Sequence, residues 1–433
     1  MPAHGRAHRS THAVSHSGYD GGMDQNTSQK SASSGPSIAA DAYAQRRRAL
    51  LESLDGALGV LFAGDAPADD LSAWRPHPHF EYLTGVTDEP GAILLLDPSH
   101  PIESRRAALF LRPLDPEKEK WDGYRAEIGQ VLRDRTGFAA LFRHGHFPRF
   151  LSEAARRCRT LACLHPLAWH TQPVSPDLAL FQKVCERVPD ARIIDRTHLI
   201  VTMRSIKSDD EVAMIRHAVK ITAESFREVR QMIEPGKSEF DVQIALEHGY
   251  KVRGSSGAAY GSIVGSGLQS TVLHYHANNG PLHDGDLVCI DSGARWGGYG
   301  ADITRTYPIG GRFTDRQREI YDVVLAALEA ATNAVRPGVT IAALDAAARK
   351  IIQDAGFGDF FIHGIGHHLG LETHDANPDL PLANGNVITI EPGIYLPAEG
   401  IGIRLEDDVL VTPTGFDNLS EAIPRRAQEV ERQ

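Results

Sequence analysis

Two acidic pairs and a run of histidines are the parts of this 433-residue sequence whose types and spacing could do chemistry. Asp291 and Asp302 lie in strand-like runs, 287–292 and 300–306, that flank a glycine-rich turn. Pairing these runs about Trp296–Gly297 places Asp291 opposite Asp302, with Cβ atoms about 4.5–5.5 Å apart. Aspartate is a poor strand residue, and two like charges that close raise one pKa strongly unless a cation lies between them. Glu391 and Glu406 repeat the pattern, because a hairpin centred near Ala398 brings them together. Arg404, two residues before Glu406, points to the same face. Between the pairs runs His363-Gly364-Ile365-Gly366-His367-His368-Leu369-Gly370-Leu371-Glu372-Thr373-His374-Asp375, whose glycines let imidazoles approach a site closely. His274 precedes the first pair, while His276 and His368 read as structural histidines. One acidic hairpin alone reads as solvent-facing. Two in corresponding positions read as a site.

Charge arithmetic joins these parts. Asp291, Asp302, Glu391 and Glu406 carry four negative charges, and His367 adds one neutral nitrogen, so two divalent cations balance the set. Oxygen-rich ligation with a single imidazole suits Mn²⁺, with Co²⁺ or Zn²⁺ as alternatives. Two metals about 3.5–4 Å apart can share a hydroxide, because ligation lowers the pKa of water to about 7. The chemistry expected is hydrolysis.

The elements that must position these residues form a repeat. Ser208-Asp209-Asp210-Glu211 is a capping box that opens a long amphipathic helix, and Ser238 opens a second. Glycine-interrupted strands follow from 262 to 308. Thr314-Asp315-Arg316-Gln317 then opens a helix to about Val335, Thr340 opens another to about Ala355, and strands run from Phe360 to Thr412. Two helices and a glycine-rich antiparallel sheet, twice over, predict an α+β domain with a pseudo-two-fold repeat over 201–425. A smaller α/β domain is expected over 41–200, with a helix at 43–54 and strands at Leu58–Phe62, Ala92–Asp97 and Ala107–Leu111. The domain boundary falls near 196–207. Residues 1–40, poor in large apolar side chains, read as a disordered tail, and 426–433 as a C-terminal tail. His4, His8, His12 and His16 recur at helical spacing but read as part of a solvated tail, and Met23 offers a second start.

Composition bounds the function. Forty-five basic and 56 acidic side chains give a net charge of −11, so no global basic field exists to hold nucleic acid or an anionic membrane. No run approaches the ~18 apolar residues of a membrane span, and no signal-peptide core is seen. Four scattered cysteines make no disulfide framework, so the cytoplasm is the expected location.

The sequence resembles the pitta-bread metallopeptidases, and within them the Xaa-Pro peptidases, aminopeptidase P and prolidase, over roughly residues 41–425. Ile290-Asp291-Ser292-Gly293-Ala294, Ala301-Asp302-Ile303-Thr304-Arg305-Thr306, the histidine run, Ile390-Glu391-Pro392-Gly393 and Arg404-Leu405-Glu406-Asp407-Asp408 carry the resemblance in that order. It implies metal ligation by Asp291, Asp302, His367, Glu391 and Glu406, with Asp302 and Glu406 bridging the two metals. It implies that His274, His363 and His374 contact substrate or stabilise the tetrahedral intermediate, and that Glu391 relays protons. Arg404 would meet the prolyl end of the substrate, and Tyr260 and Tyr395 would line its pockets. Phe80-Glu81-Tyr82-Leu83-Thr84-Gly85 and Trp121-Asp122-Gly123-Tyr124-Arg125 resemble the family's N-terminal domain, which usually builds a homo-oligomer, here a dimer or tetramer. Tyr82 and Trp121 are expected in the core. The implied activity is release of the first residue from peptides with proline second. A dipeptide-limited prolidase is the alternative, and a metal-free peptide-binding relative a remote one.

Overall fold

The structure is a computed structural model that describes residues 35–67 and 74–431. Of the tail expected over 1–40, residues 1–34, with the histidine stripe, lie outside the described residues. Residues 35–39 do not behave as a tail: the Trp296 Nε1 donates to the Pro36 carbonyl at 2.9 Å and Ile38 packs on the core. At the other end, a short helix at Ala427–Val430 buries Ala427 and Val430, so this segment too is structured.

The first part of the chain builds a six-stranded sheet from β1 (Leu58–Phe62), β2 (Ile93–Leu96), β3 (Ala107–Leu111), β4 (Ala140–Arg143), β5 (Thr160–Cys163) and β6 (Arg192–Asp195), in spatial order β4-β3-β2-β1-β5-β6. The β1–β2 and β2–β3 pairs are antiparallel and the outer pairs parallel. Helix α1 (Ala40–Ser53) packs on α2 (Pro78–Thr84), where Arg46 and Arg47 donate to the Tyr82 and Leu83 carbonyls. Those carbonyls belong to the last turn of α2, which has no intrahelical partner for them. Tyr82 is buried as expected. Trp121 is not: it is 89% exposed, within a short helix (Pro116–Asp122) that buries none of its residues.

Segment 196–207, read as a boundary, is itself largely helical. Helix α3 (Thr197–Ser205) leads directly into α4 (Asp209–Val229), α5 (Glu239–Val252), α6 (Asp315–Asn333) and α7 (Ile341–Asp354). The Ser208, Ser238 and Thr314 capping boxes all form, each satisfying two backbone donors at a helix start.

Each pair of long helices is followed by a hairpin that is broken halfway. In the first, β7 (Ile263–Ser266) pairs with β8 (Leu287–Asp291), and β8 with β11 (Thr304–Pro308); the distal part is β9 (Ala294–Trp296) with β10 (Tyr299–Gly300). In the second, β12 (Val387–Ile390) pairs with β15 (Asp407–Thr412), and β13 (Gly393–Leu396) with β14 (Ile401–Arg404). The register of the first hairpin differs from the expected one. Gly297 and Gly298 both have positive φ, +51° and +92°, so they form the two-residue loop and the turn centres between them. Asp291 therefore faces Thr304, and Asp302 lies two residues away on the diagonal. A shift of two keeps side chains on their face, so the two aspartates still share one side.

Candidate metal centre

The breaks in the two hairpins are where the acids sit. Asp291 ends β8 and Asp302 lies in the opposite break, while Glu391 and Glu406 occupy both sides of the second break. Leaving the ladder there frees backbone groups, which the other hairpin takes up. The Asp302 N–H donates to Asp408 Oδ2 at 3.1 Å, and the Glu406 N–H to the Thr304 carbonyl at 3.1 Å. Thr304 Oγ1 donates to Glu406 Oε2 at 2.7 Å, and Arg305 reaches the Glu406 carbonyl and the buried Asp407. Two sheets from distant sequence are thus sewn together along Thr304–Thr306 and Arg404–Asp408, and the acids converge at the seam.

The convergence is close. One donor atom from each of Asp302, His367 and Glu406 lies within 4.8 Å of the others. His367 Nε2 stands 3.5 Å from Asp302 Oδ2 and 3.6 Å from Glu391 Oε1. The Tyr260 hydroxyl donates to both Asp291 and Asp302, tying the fourth carboxylate to the set. Burial pushes the Asp302 and Glu406 carboxyls well up, and the neighbouring acids push them further. Glu391 rises to about 7 through burial, with Arg404 opposing and Asp291 adding. Burial holds His367 near 4, so its ring is neutral and offers a lone pair. Four carboxylates so placed repel one another unless positive charge enters among them. The donor set fits divalent cations.

His367 is aimed by its own loop. Gly366 has φ +152°, and a Cβ there would meet the Thr389 carbonyl oxygen at 2.1 Å. His367 Nδ1 meets the His368 carbonyl at 3.0 Å, which turns Nε2 towards the acids. The His374 ring lies 4.2 Å from the His367 ring, edge to face. His363 Nε2 bonds the Tyr395 hydroxyl at 2.8 Å, and Arg404 Nη1 donates to that hydroxyl at 3.0 Å. His274 is exposed on the loop before β8, with its ring 6.3 Å from that of His276. Arg404, expected to face the substrate, is only 3% exposed, and its donors go to Thr304, Tyr395 and Asp291. Several partners escaped sequence reading. Thr304 and Asp408 stand in motifs with no role read for them, and Arg204 and Lys207, in the supposed boundary, hold Asp375 beside His374.

A buried set of acids and one imidazole, held where two repeated hairpins meet, defines a metal-dependent hydrolase. The chain belongs to metallopeptidase family M24, whose model matches residues 213–413, and carries an aminopeptidase P N-terminal domain matched over 43–162. It is 31% identical over 440 residues to the Xaa-Pro aminopeptidase of Escherichia coli (strain K12), covering 91% of this chain and 97% of that protein. An E. coli aminopeptidase P structure, a low pH form, superposes with a TM-score of 0.81 at 30% identity, covering 91% of this chain and 98% of that one. An Xaa-Pro dipeptidase of Pyrococcus furiosus is 40% identical, but over 52% of this chain and 65% of its own length. Family membership implies divalent-metal binding and action on peptides. Among the described residues no helix is long and apolar enough to cross a membrane.

Proposed function

We propose that this chain is an Xaa-Pro aminopeptidase that removes the first residue from peptides with proline in second position. The observation that carries the reading is the meeting of Asp302, His367 and Glu406 at one point, with Asp291 and Glu391 beside them. The likeness to the E. coli Xaa-Pro aminopeptidase covers 91% of the chain, whereas that to the P. furiosus dipeptidase covers 52%, which favours longer peptides over dipeptides.

Asp291, Asp302, His367, Glu391 and Glu406 would hold two divalent cations, Mn²⁺ by the oxygen-rich donor set. When bound, such cations polarise a carbonyl and lower the pKa of water to about 7. The chain's own residues do the rest. Glu391 faces both His367 and His363 and carries a proton from the attacking water to the prolyl nitrogen. His374, beside His367, donates to the oxyanion, with His274 and His363 contacting the substrate. Tyr395 and Tyr260 wall the subsites, and Arg404, whose bonds hold Tyr395 and Asp291 in place, lies at the prolyl end. Proline suits the pocket because its nitrogen has no N–H to leave unpaired. The four cysteines are free, which supports a cytoplasmic setting. Trp121 and Tyr124, 89% and 92% exposed, support burial in a homo-oligomer.

The test compares hydrolysis of an Xaa-Pro dipeptide, an Xaa-Pro-Xaa tripeptide and an Xaa-Ala control by chelated protein reloaded with Mn²⁺, Co²⁺ or Zn²⁺. Faster turnover of the tripeptide with Mn²⁺ is expected. Cleavage of the dipeptide alone would make the chain a dipeptidase, and equal cleavage of the alanine control would remove proline selectivity.

A further inference from the structure

Three pieces of the chain meet at one buried guanidinium. Arg204, 2% exposed at the end of α3, bonds His79 Nδ1 of α2 at 2.9 Å through Nη1. Its Nη2 donates to Glu372 Oε2 at 2.8 Å and to Asp375 Oδ1. Lys207 Nζ takes the other oxygen of Asp375 at 2.9 Å. Burial keeps His79 neutral, so its Nδ1 presents a lone pair and Arg204 is the donor.

The same carboxylate closes the turn that carries His374. Asp375 Oδ1 accepts from the Glu372 N–H at 3.3 Å, and the Asp375 N–H donates to the His368 carbonyl at 2.8 Å. Gly370 lies so close that a Cβ there would meet Asp375 Oδ2 at 2.4 Å. His374 itself is exposed, and its ring contact among the described residues is with His367. Its own side chain does not fix it; the turn beneath it does. A planar guanidinium reaches His79 from one nitrogen and Glu372 and Asp375 from another, whereas an ammonium offers its three donors from a single point.

We infer that Arg204 and Asp375 are positioning residues that hold His374 in place for the peptidase reaction, with α2 supplying the far anchor through His79. The role rests on the peptidase reading above, and on His374 as the group acting on the substrate.

The test is a double-mutant cycle on the full-length, metal-loaded protein with an Xaa-Pro-Xaa tripeptide. Arg204→Lys is expected to lower kcat between about tenfold and about 100-fold, with KM and metal content near wild type. In a His374→Ala background the same change is expected to alter kcat by less than about twofold, because the residue it acts through is gone. Losses that multiply in the double variant, or loss of metal in Arg204→Lys, would overturn the role. Glu372→Gln, at a side chain 47% exposed, removes one acidic partner of Arg204 and covers a failure of Arg204→Lys to fold. It is expected to show a smaller loss that likewise vanishes in the His374→Ala background. A wild-type chain without hydrolysis overturns the peptidase reading and this role with it; an active one with multiplying losses overturns this role alone.

Discussion

Arg404 donates to Asp291 at 2.9 Å across the seam between the two hairpins, and both side chains are largely withdrawn from water. The contact makes an arginine of the second repeat responsible for where an acid of the first repeat points. Arg404→Ala is therefore expected to free Asp291 and lower kcat by about 100-fold or more, the scale of a misplacement near 1 Å. Metal content measured on the purified variant should fall as well. Full metal occupancy with only a raised KM would return Arg404 to a purely substrate-facing role.

Gly366→Ala should be as damaging as loss of a ligand. The added methyl would press on the Thr389 carbonyl in a backbone conformation side chains rarely adopt, so the strand or His367 must move. Thermal unfolding should show a loss of about 3 kcal/mol or more, and metal titration a weakened site. An alanine variant with normal stability and metal binding would mean that the loop can yield.

The acid limb of stability should carry the mark of Asp375. Burial pushes its carboxyl up, but Lys207 and Arg204 outweigh burial and hold it at about 2, below the unfolded value near 3.9. Its contribution is therefore complete above about pH 4 and lost as pH falls through 2. Urea unfolding of wild type and Asp375→Asn from pH 5 to pH 2 should converge on acidification, with a gap at neutral pH on the order of 2–3 kcal/mol. A gap independent of pH would contradict the charge pairing.

Chelation should destabilise the protein as well as silence it. Asp302 and Glu406 are buried among other acids, so removing their counter-cations leaves uncompensated charge at the seam. The melting temperature should drop on chelation and recover with added Mn²⁺, in step with activity. An unchanged melting temperature after verified metal loss would show that the seam tolerates its acids without cations.

Local chemistry was legible along the chain wherever neighbours in sequence settle it. Ser208, Ser238 and Thr314 cap their helices through side chains three residues away, and the acids Asp291, Asp302, Glu391 and Glu406 stand in hairpins whose partners are near in sequence. The centre near Ala398 was readable for the same reason, since Ile390–Asp407 and Gly393–Arg404 keep one register across the break. The first hairpin slipped by two because the conformation of Gly297 and Gly298 sets the turn, and glycine spacing alone does not say which pair forms it. What tertiary structure decided are the contacts between segments far apart in the chain: Arg404 with Asp291, Asp302 with Asp408, and Arg204 with His79 and Asp375. A charged residue in a short connecting stretch carries no local sign that it will be buried. Its partners are chosen only when the chain folds back and desolvation leaves each charge with whichever opposite group lies within reach.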